Sequence, residues 1–137
     1  IYGLAGLRIG YGITTPEITN YLNRIRPPFN ANSMAQRAAL AALDDEAHVA
    51  ASRSLNHVEM DKVRAGLQRL GFEALPSEAN FLYFDVGRDG RSVFDALLRQ
   101  GVIVRHIEGR MLRVTIGLPE ENQLFLSALA DVIRASR

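Results

Sequence analysis

Three arginines, Arg8, Arg105 and Arg113, stand where a fixed positive charge could meet an anionic small molecule. Arg8 lies in IYGLAGLRIGYG, a twelve-residue stretch that holds four of the chain's eleven glycines. Glycines let a ligand come close to the backbone, and a guanidinium set among them can grip a phosphate through two parallel hydrogen bonds. The same residues also suit a tight turn and a strand with one solvent-facing arginine. The pattern is neither a GxGxxG fingerprint nor a P-loop. Arg105 in VIVRHI and Arg113 in MLRVTIG each have apolar neighbours on both sides. A guanidinium among such side chains is costly to bury without an anion, so the two together point to a carboxylate or phosphate pocket. An acid such as Glu108, or exposure at an edge strand, would answer the same cost.

Other chemistries are poorly supplied. Of the sixteen basic residues, Lys62 alone is lysine. Its setting, EMDKVRAG, reads as a solvated helix face with Glu59 three residues before it and Asp61 beside it, where an ammonium stays protonated. Lys62 is therefore not expected to act as a catalytic amine. The absence of cysteine removes thiolate nucleophiles and disulfides, and His48, His57 and His106 lack metal-ligand spacing, so no metal site is expected. Tyr2 and Tyr11 flank the glycine-rich stretch. Asn80 opens a strand pattern, where it would either cap a turn or face a ligand.

These side chains need a scaffold, and 137 residues with 47% hydrophobic and 23% charged content can fold as one domain or part of one. The net charge of +1, with no basic run, speaks against a nucleic-acid partner. Short apolar runs and the lack of a leader pattern speak against a membrane and place the chain by default in the cytoplasm.

The residue pattern predicts a strand over 7–13, then a helix capped by Thr15 with Pro16 at its first position. RPPFNANS breaks that helix. A second helix runs from a cap at Ser33 to about Leu43, LDDE forms a junction, and a long helical stretch ends at Gly71. The second half changes character. FEALPS reads as a short extended piece, NFLYFDV as a strand, GRSVFDALLRQG as a helix closed by Gly101, VIVRHI and RMLRVTIG as two strands, and PEENQLFLSALADVIRAS as a closing helix. The fold class is α/β, with a β-α-β-β-α two-layer sandwich of α+β type in the second half.

YGLAGLRIGYGI, RPPFNANSMAQRAALAAL, PSEANFLYF, GVIVRHI and LRVTIGLPEEN follow one another as they do in the C-terminal part of histidinol-phosphate aminotransferases. Over essentially its whole length the chain resembles that family of fold-type-I pyridoxal-phosphate enzymes. The resemblance implies that residues 1–45 are the end of the large cofactor-binding domain and a hinge, 46–72 a connecting helix, and 73–137 the small C-terminal α/β domain. It further implies pyridoxal 5'-phosphate as cofactor, Arg8 on the cofactor phosphate, Arg113 on the anionic group of the substrate and Arg105 near the substrate phosphate.

In that family a Ser-Lys pair, whose lysine bonds to the cofactor, directly precedes the glycine-rich segment. The resemblance therefore puts the catalytic lysine immediately before Ile1. No catalytic residue is expected within the chain, which is expected to be inactive alone. The implied reaction of the complete enzyme moves an amino group between glutamate or 2-oxoglutarate and histidinol phosphate, a small-molecule donor and a phosphorylated acceptor, in a cytoplasmic homodimer. HIEGRM is shorter than the family's usual loop between these strands, which leaves the role of Arg105 and the choice of substrate open. A phosphothreonine decarboxylase of related sequence would need the same arginines. A non-catalytic ligand-binding or dimerisation module is the alternative from a different class.

Overall fold

The computed structural model describes residues 1–135, so the end of the expected closing helix, at Ser136, lies outside the described residues. Contacts divide the chain into two compact units, residues 1–53 and 54–137. Helix α3, Glu46–Arg69, runs through the boundary.

In the first unit a single 3-10 turn, Ala5–Leu7, precedes helices α1, Pro16–Ile25, and α2, Ser33–Leu43. Thr15 caps α1 through its side chain, which accepts from the Ile18 amide, and Pro16 takes the first position, where its missing N–H costs nothing. The expected strand over 7–13 is not formed: the backbone turns left-handed at Arg8, with φ 57°, and no strand among the described residues pairs with it. Alternating apolar residues do not make a strand without a hydrogen-bonded neighbour. The expected cap at Ser33 also moves by one residue. Asn32 caps α2, its side chain accepting from the Ala35 amide at 2.8 Å, and Ser33 becomes the first helical residue.

Burial in this unit is slight. Ala35 is fully buried, whereas Ile13, Ile25 and Phe29 are 91%, 77% and 99% exposed. On α1 the apolar stripe of Ile18, Tyr21, Leu22 and Ile25 is half or more exposed, so its helical spacing describes a face that is not part of a core here.

The second unit holds the core. Its elements after α3 are β1, Phe81–Asp85, α4, Gly90–Arg99, β2, Arg105–His106, β3, Met111–Thr115, and α5, Pro119–Ala135, the β-α-β-β-α order expected from the sequence. The three strands form an antiparallel sheet in the order β1-β3-β2. Period-two burial separates its faces. Leu82, Phe84, Leu112 and Val114 point inward to Val63 and Leu67 of α3, Val93 and Leu97 of α4, and Phe125 and Leu129 of α5. Phe81, Tyr83, Arg113 and Thr115 occupy the other face. The VIVRHI segment pairs with β3 only at Arg105 and His106, although Val102 and Val104 are buried before it.

Turn chemistry sets these lengths. Gly71 and Gly101 close α3 and α4 in left-handed conformation, with φ of 87° and 79°. Asp89 caps α4 by accepting from the Ser92 amide, and the Ser92 hydroxyl, then that amide, holds its carboxyl below the usual aspartate range. The β2–β3 turn docks against this cap, where the Gly90 amide donates to Gly109 O at 2.9 Å. A Cβ on Gly90 would stand 2.8 Å from that oxygen and 2.9 Å from His106 Cδ2. Backbone cannot yield as a side-chain tip does. Gly90→Ala is expected to destabilise the chain by about 1–3 kcal/mol, read as a lower midpoint in denaturant unfolding. An unchanged midpoint would mean that the turn shifts freely.

Candidate functional site

The register of the sheet brings two of the three sequence-predicted arginines together. Arg105 of β2 is directly opposite Arg113 of β3, and on the far side of Arg113 stands Tyr83 of β1. Directly opposed like charges repel. Among the described residues neither arginine forms an ion pair, so the expected alternative of a Glu108 partner is not realised. Glu108 instead uses its backbone carbonyl to accept from the Met111 amide. The nearby carboxylate of Asp85 is taken by Arg110 at 2.6 Å.

Arg113 is half-buried, and its Nε is fully buried without a hydrogen-bond partner. Its guanidinium carbon lies 4.8 Å from the centroid of the Phe81 ring. Arg105 is exposed at the sheet edge. Between them opens a hollow of about 300 Å³ lined by Ile103, Val104, Arg105, Arg113 and Thr115. Two fixed cations, one hydroxyl and apolar walls form a site for an anion with an apolar stem.

Arg8 belongs to the first unit. Its guanidinium donates from Nη1 to Ala5 O at 2.8 Å, and its own amide reaches the same oxygen at 3.2 Å. A left-handed conformation is uncommon for a residue with a side chain and costs on the order of 1 kcal/mol. Here it turns an exposed guanidinium out of the chain, between Gly6 and Gly10, where a Cβ would meet nothing within 4 Å. Asn32, the cap of α2, donates from Nδ2 to Leu7 O at 3.5 Å and so tethers the residue before Arg8. Ile1, the residue expected to follow the cofactor lysine, is exposed and lies outside any helix or strand, four residues before the 3-10 turn that leads to Arg8.

A buried charge supports β3 from behind. The Glu59 side chain of α3, only 3% exposed, accepts from Lys62 Nζ at 2.7 Å and from Asn122 Nδ2 of α5 at 2.9 Å. Asn122 also bonds both the amide and the carbonyl of Gly117, two residues past the end of β3, at 2.9 Å each. Lys62, expected on a solvated helix face, is exposed and paired with Glu59. The Glu59–Asn122 link was missed, yet a signal was present. Glu59 stands four residues before Val63 and Asn122 three before Phe125, so both fall on buried stripes of their helices.

The aminotransferase class I and II family model matches residues 1–129. The chain belongs to that family. It is 50% identical over 136 residues to histidinol-phosphate aminotransferase 2 of Pseudomonas fluorescens, covering 96% of itself and 37% of that relative. The solved histidinol-phosphate aminotransferase of Sinorhizobium meliloti, a complex with pyridoxal-5'-phosphate, superposes with a TM-score of 0.88 at 30% identity, over 99% of this chain and 39% of that one. The L-threonine-O-3-phosphate decarboxylase of Porphyromonas gingivalis has a TM-score of 0.77 at 23% identity over 97% of this chain and 44% of its own, a likeness of fold alone. The chain thus spans just over a third of the curated relative that it matches. No helix among the described residues is long and apolar enough to cross a membrane.

The buried carboxylate makes the stability of this chain depend on pH. Lys62, then the Asn122 amide, hold the Glu59 carboxyl below its ordinary value of 4.5, against the opposing effect of burial. A folded value below the unfolded one means that the stabilisation is complete above about 4.5 and is lost as pH falls through the folded value. Thermal midpoints of the unsubstituted chain should therefore fall more steeply below pH 4.5 than those of Glu59→Gln. Parallel curves would remove Glu59 as the group responsible.

Proposed function

We propose that the complete protein is a pyridoxal-phosphate-dependent aminotransferase acting on histidinol phosphate with the glutamate/2-oxoglutarate pair, and that this chain supplies its cofactor-phosphate anchor and substrate-anion site. One observation carries the reading: Arg113 and Arg105 face each other across two strands with no carboxylate partner among the described residues. Such an arrangement is stable when an anion is shared or bound between them. The name of the Pseudomonas relative supports histidinol phosphate as that anion's source.

The residues present fit the cofactor. Arg8 is exposed, held by its own turn and flanked by open space at Gly6 and Gly10, as a phosphate anchor needs to be. Bound pyridoxal phosphate supplies the electron sink of transamination. Arg8 fixes its phosphate, Arg113 neutralises and orients the substrate's anionic group, and Arg105 adds a second cation at the rim of the same hollow. Orientation of this kind raises rate by holding the reacting groups in register, without chemical change at the arginines. By the resemblance to the family, we place the lysine that bonds to the cofactor in the complete protein, at the position immediately before Ile1; Lys62 is engaged by Glu59. The chain alone is inactive on this reading.

We assign residues 1–45 to the end of the large domain and hinge, 46–72 to the connecting helix and 73–137 to the small domain of a cytoplasmic homodimer. The apolar face of α1, exposed in this chain, is consistent with cover by other parts of such an assembly.

In the full-length protein, Arg8→Ala should weaken pyridoxal-phosphate affinity by about 10- to 100-fold, the scale of a lost charged hydrogen bond. Arg113→Ala should raise KM for histidinol phosphate by a similar factor and leave cofactor affinity within about twofold. Absorbance titration and steady-state kinetics separate the two. Equal losses of cofactor affinity would refute this division. Release of carbon dioxide from threonine O-3-phosphate, without transamination of histidinol phosphate, would replace the substrate assignment with a decarboxylase.

A further inference from the structure

Phe81 is a diagonal neighbour of Arg113 across the β1–β3 pair, since Phe81 is opposite Thr115 and Tyr83 is opposite Arg113. At that spacing an aromatic ring reaches a long side chain. The Arg113 guanidinium carbon stands 4.8 Å from the ring centroid, and Arg113 Nε is buried with no hydrogen-bond partner. The negative face of the ring compensates this partly buried cation. It also covers one side of the guanidinium, so an anion must approach from the remaining directions, toward the hollow shared with Arg105.

Phe81 is itself firmly fixed for a residue at the start of a strand. Ser77 Oγ accepts from the Ala79 amide at 3.2 Å and donates to Phe81 O at 2.7 Å, closing the PSEANF turn on itself. From α3, Asn56 Nδ2 donates to Ala79 O at 3.2 Å. Asn80 O accepts from the Ile116 amide at 2.8 Å and ties the same turn to the exit of β3. A turn bound from three sides fixes the backbone from which the ring reaches the guanidinium.

We propose that Phe81 is a positioning residue for Arg113: its ring holds the guanidinium in the orientation that receives the substrate's anionic group. The inference rests on the reading of Arg113 as an anion-binding residue. Phe81 touches no reacting atom and acts only through Arg113.

The test uses the full-length, cofactor-loaded protein. Phe81→Leu removes the π face and keeps an apolar side chain on the strand, and Phe81→Trp restores the face. For Phe81→Leu we expect KM for histidinol phosphate and the Kd for inorganic phosphate, measured by titration calorimetry, to rise by about 3- to 30-fold, the range of a partly desolvated cation–π contact. The value of kcat and the cofactor absorbance should remain within about twofold, and Phe81→Trp should recover most of the affinity. If Phe81→Leu fails to fold, Ser77→Ala, which loosens the turn, should give the same sign with a smaller rise. Arg113→Lys is the parallel control. An effect of Arg113→Lys with none from Phe81→Leu or Ser77→Ala overturns the positioning role. No effect of Arg113→Lys on phosphate affinity or KM overturns the reading beneath it. Failure of Phe81→Trp to recover affinity lost in Phe81→Leu also overturns the proposal.

Discussion

The second unit sets two arginines directly opposite each other on adjacent strands, a like-charge pairing that the rest of its structure must hold. Arg105 and Arg113 are directly paired across β2 and β3, without an acid among the described residues to neutralise them. Their mutual repulsion opposes the pairing of strands that carries them, and β2 contributes only two residues to that pairing. The sheet must therefore be held by other means. The inward side chains of β3, Leu112 and Val114, supply one, buried among α3, α4 and α5. The docking of the β2–β3 turn on the capped start of α4 supplies another, through Gly90 N and Gly109 O. The Asp85–Arg110 pair fixes the same turn from β1, but this pair is largely exposed and contributes little compared with the core.

A second device secures the other end of β3. Asn122 clasps both backbone groups of Gly117 while donating to the buried Glu59 carboxylate. A buried carboxylate is costly unless its oxygens are satisfied, and here each has a donor. Glu121, one residue earlier, accepts from the Leu118 amide at 2.8 Å, the reciprocal half of a capping box at the start of α5. The loop leaving the arginine-bearing strand is thus held by side chains of the next helix. Rotation of β3 about its axis, which would swing Arg113 out of the hollow, would break these bonds together.

Much of this second unit was legible in the sequence because its elements satisfy local and global rules at once. Period-two burial in FLYFD and MLRVT, left-handed glycines at 71 and 101, and the helical stripe of α5 all describe segments whose partners lie within the chain. The first unit was read less well for the complementary reason. IGYGI alternates like a strand, but strand formation is a property of a pair, and the described residues offer no partner. The exchange of Ser33 for Asn32 as cap is a smaller failure of the same kind, since both side chains suit the position. Asn32 holds it with a further bond from the same side chain to Leu7 O, a tertiary link invisible in local pattern. The arginine pair shows where spacing stops being informative: residue types pointed to an anion, but only the antiparallel register made Arg105 and Arg113 neighbours.

The two arginine sites differ in how their charge is kept available. Arg8 avoids burial altogether: it is exposed, and a strained left-handed backbone with a bond to Ala5 O sets its direction. Arg113 is partly withdrawn from water, with one N–H left unsatisfied and a ring laid against its guanidinium. Withdrawal from water strengthens any later attraction to an anion, because less solvent screens the charge. It also makes the unliganded state more costly. A half-buried cation with an unmet donor therefore gains most when an anion arrives. The two sites thus differ in desolvation, although the side chain that carries the charge is the same.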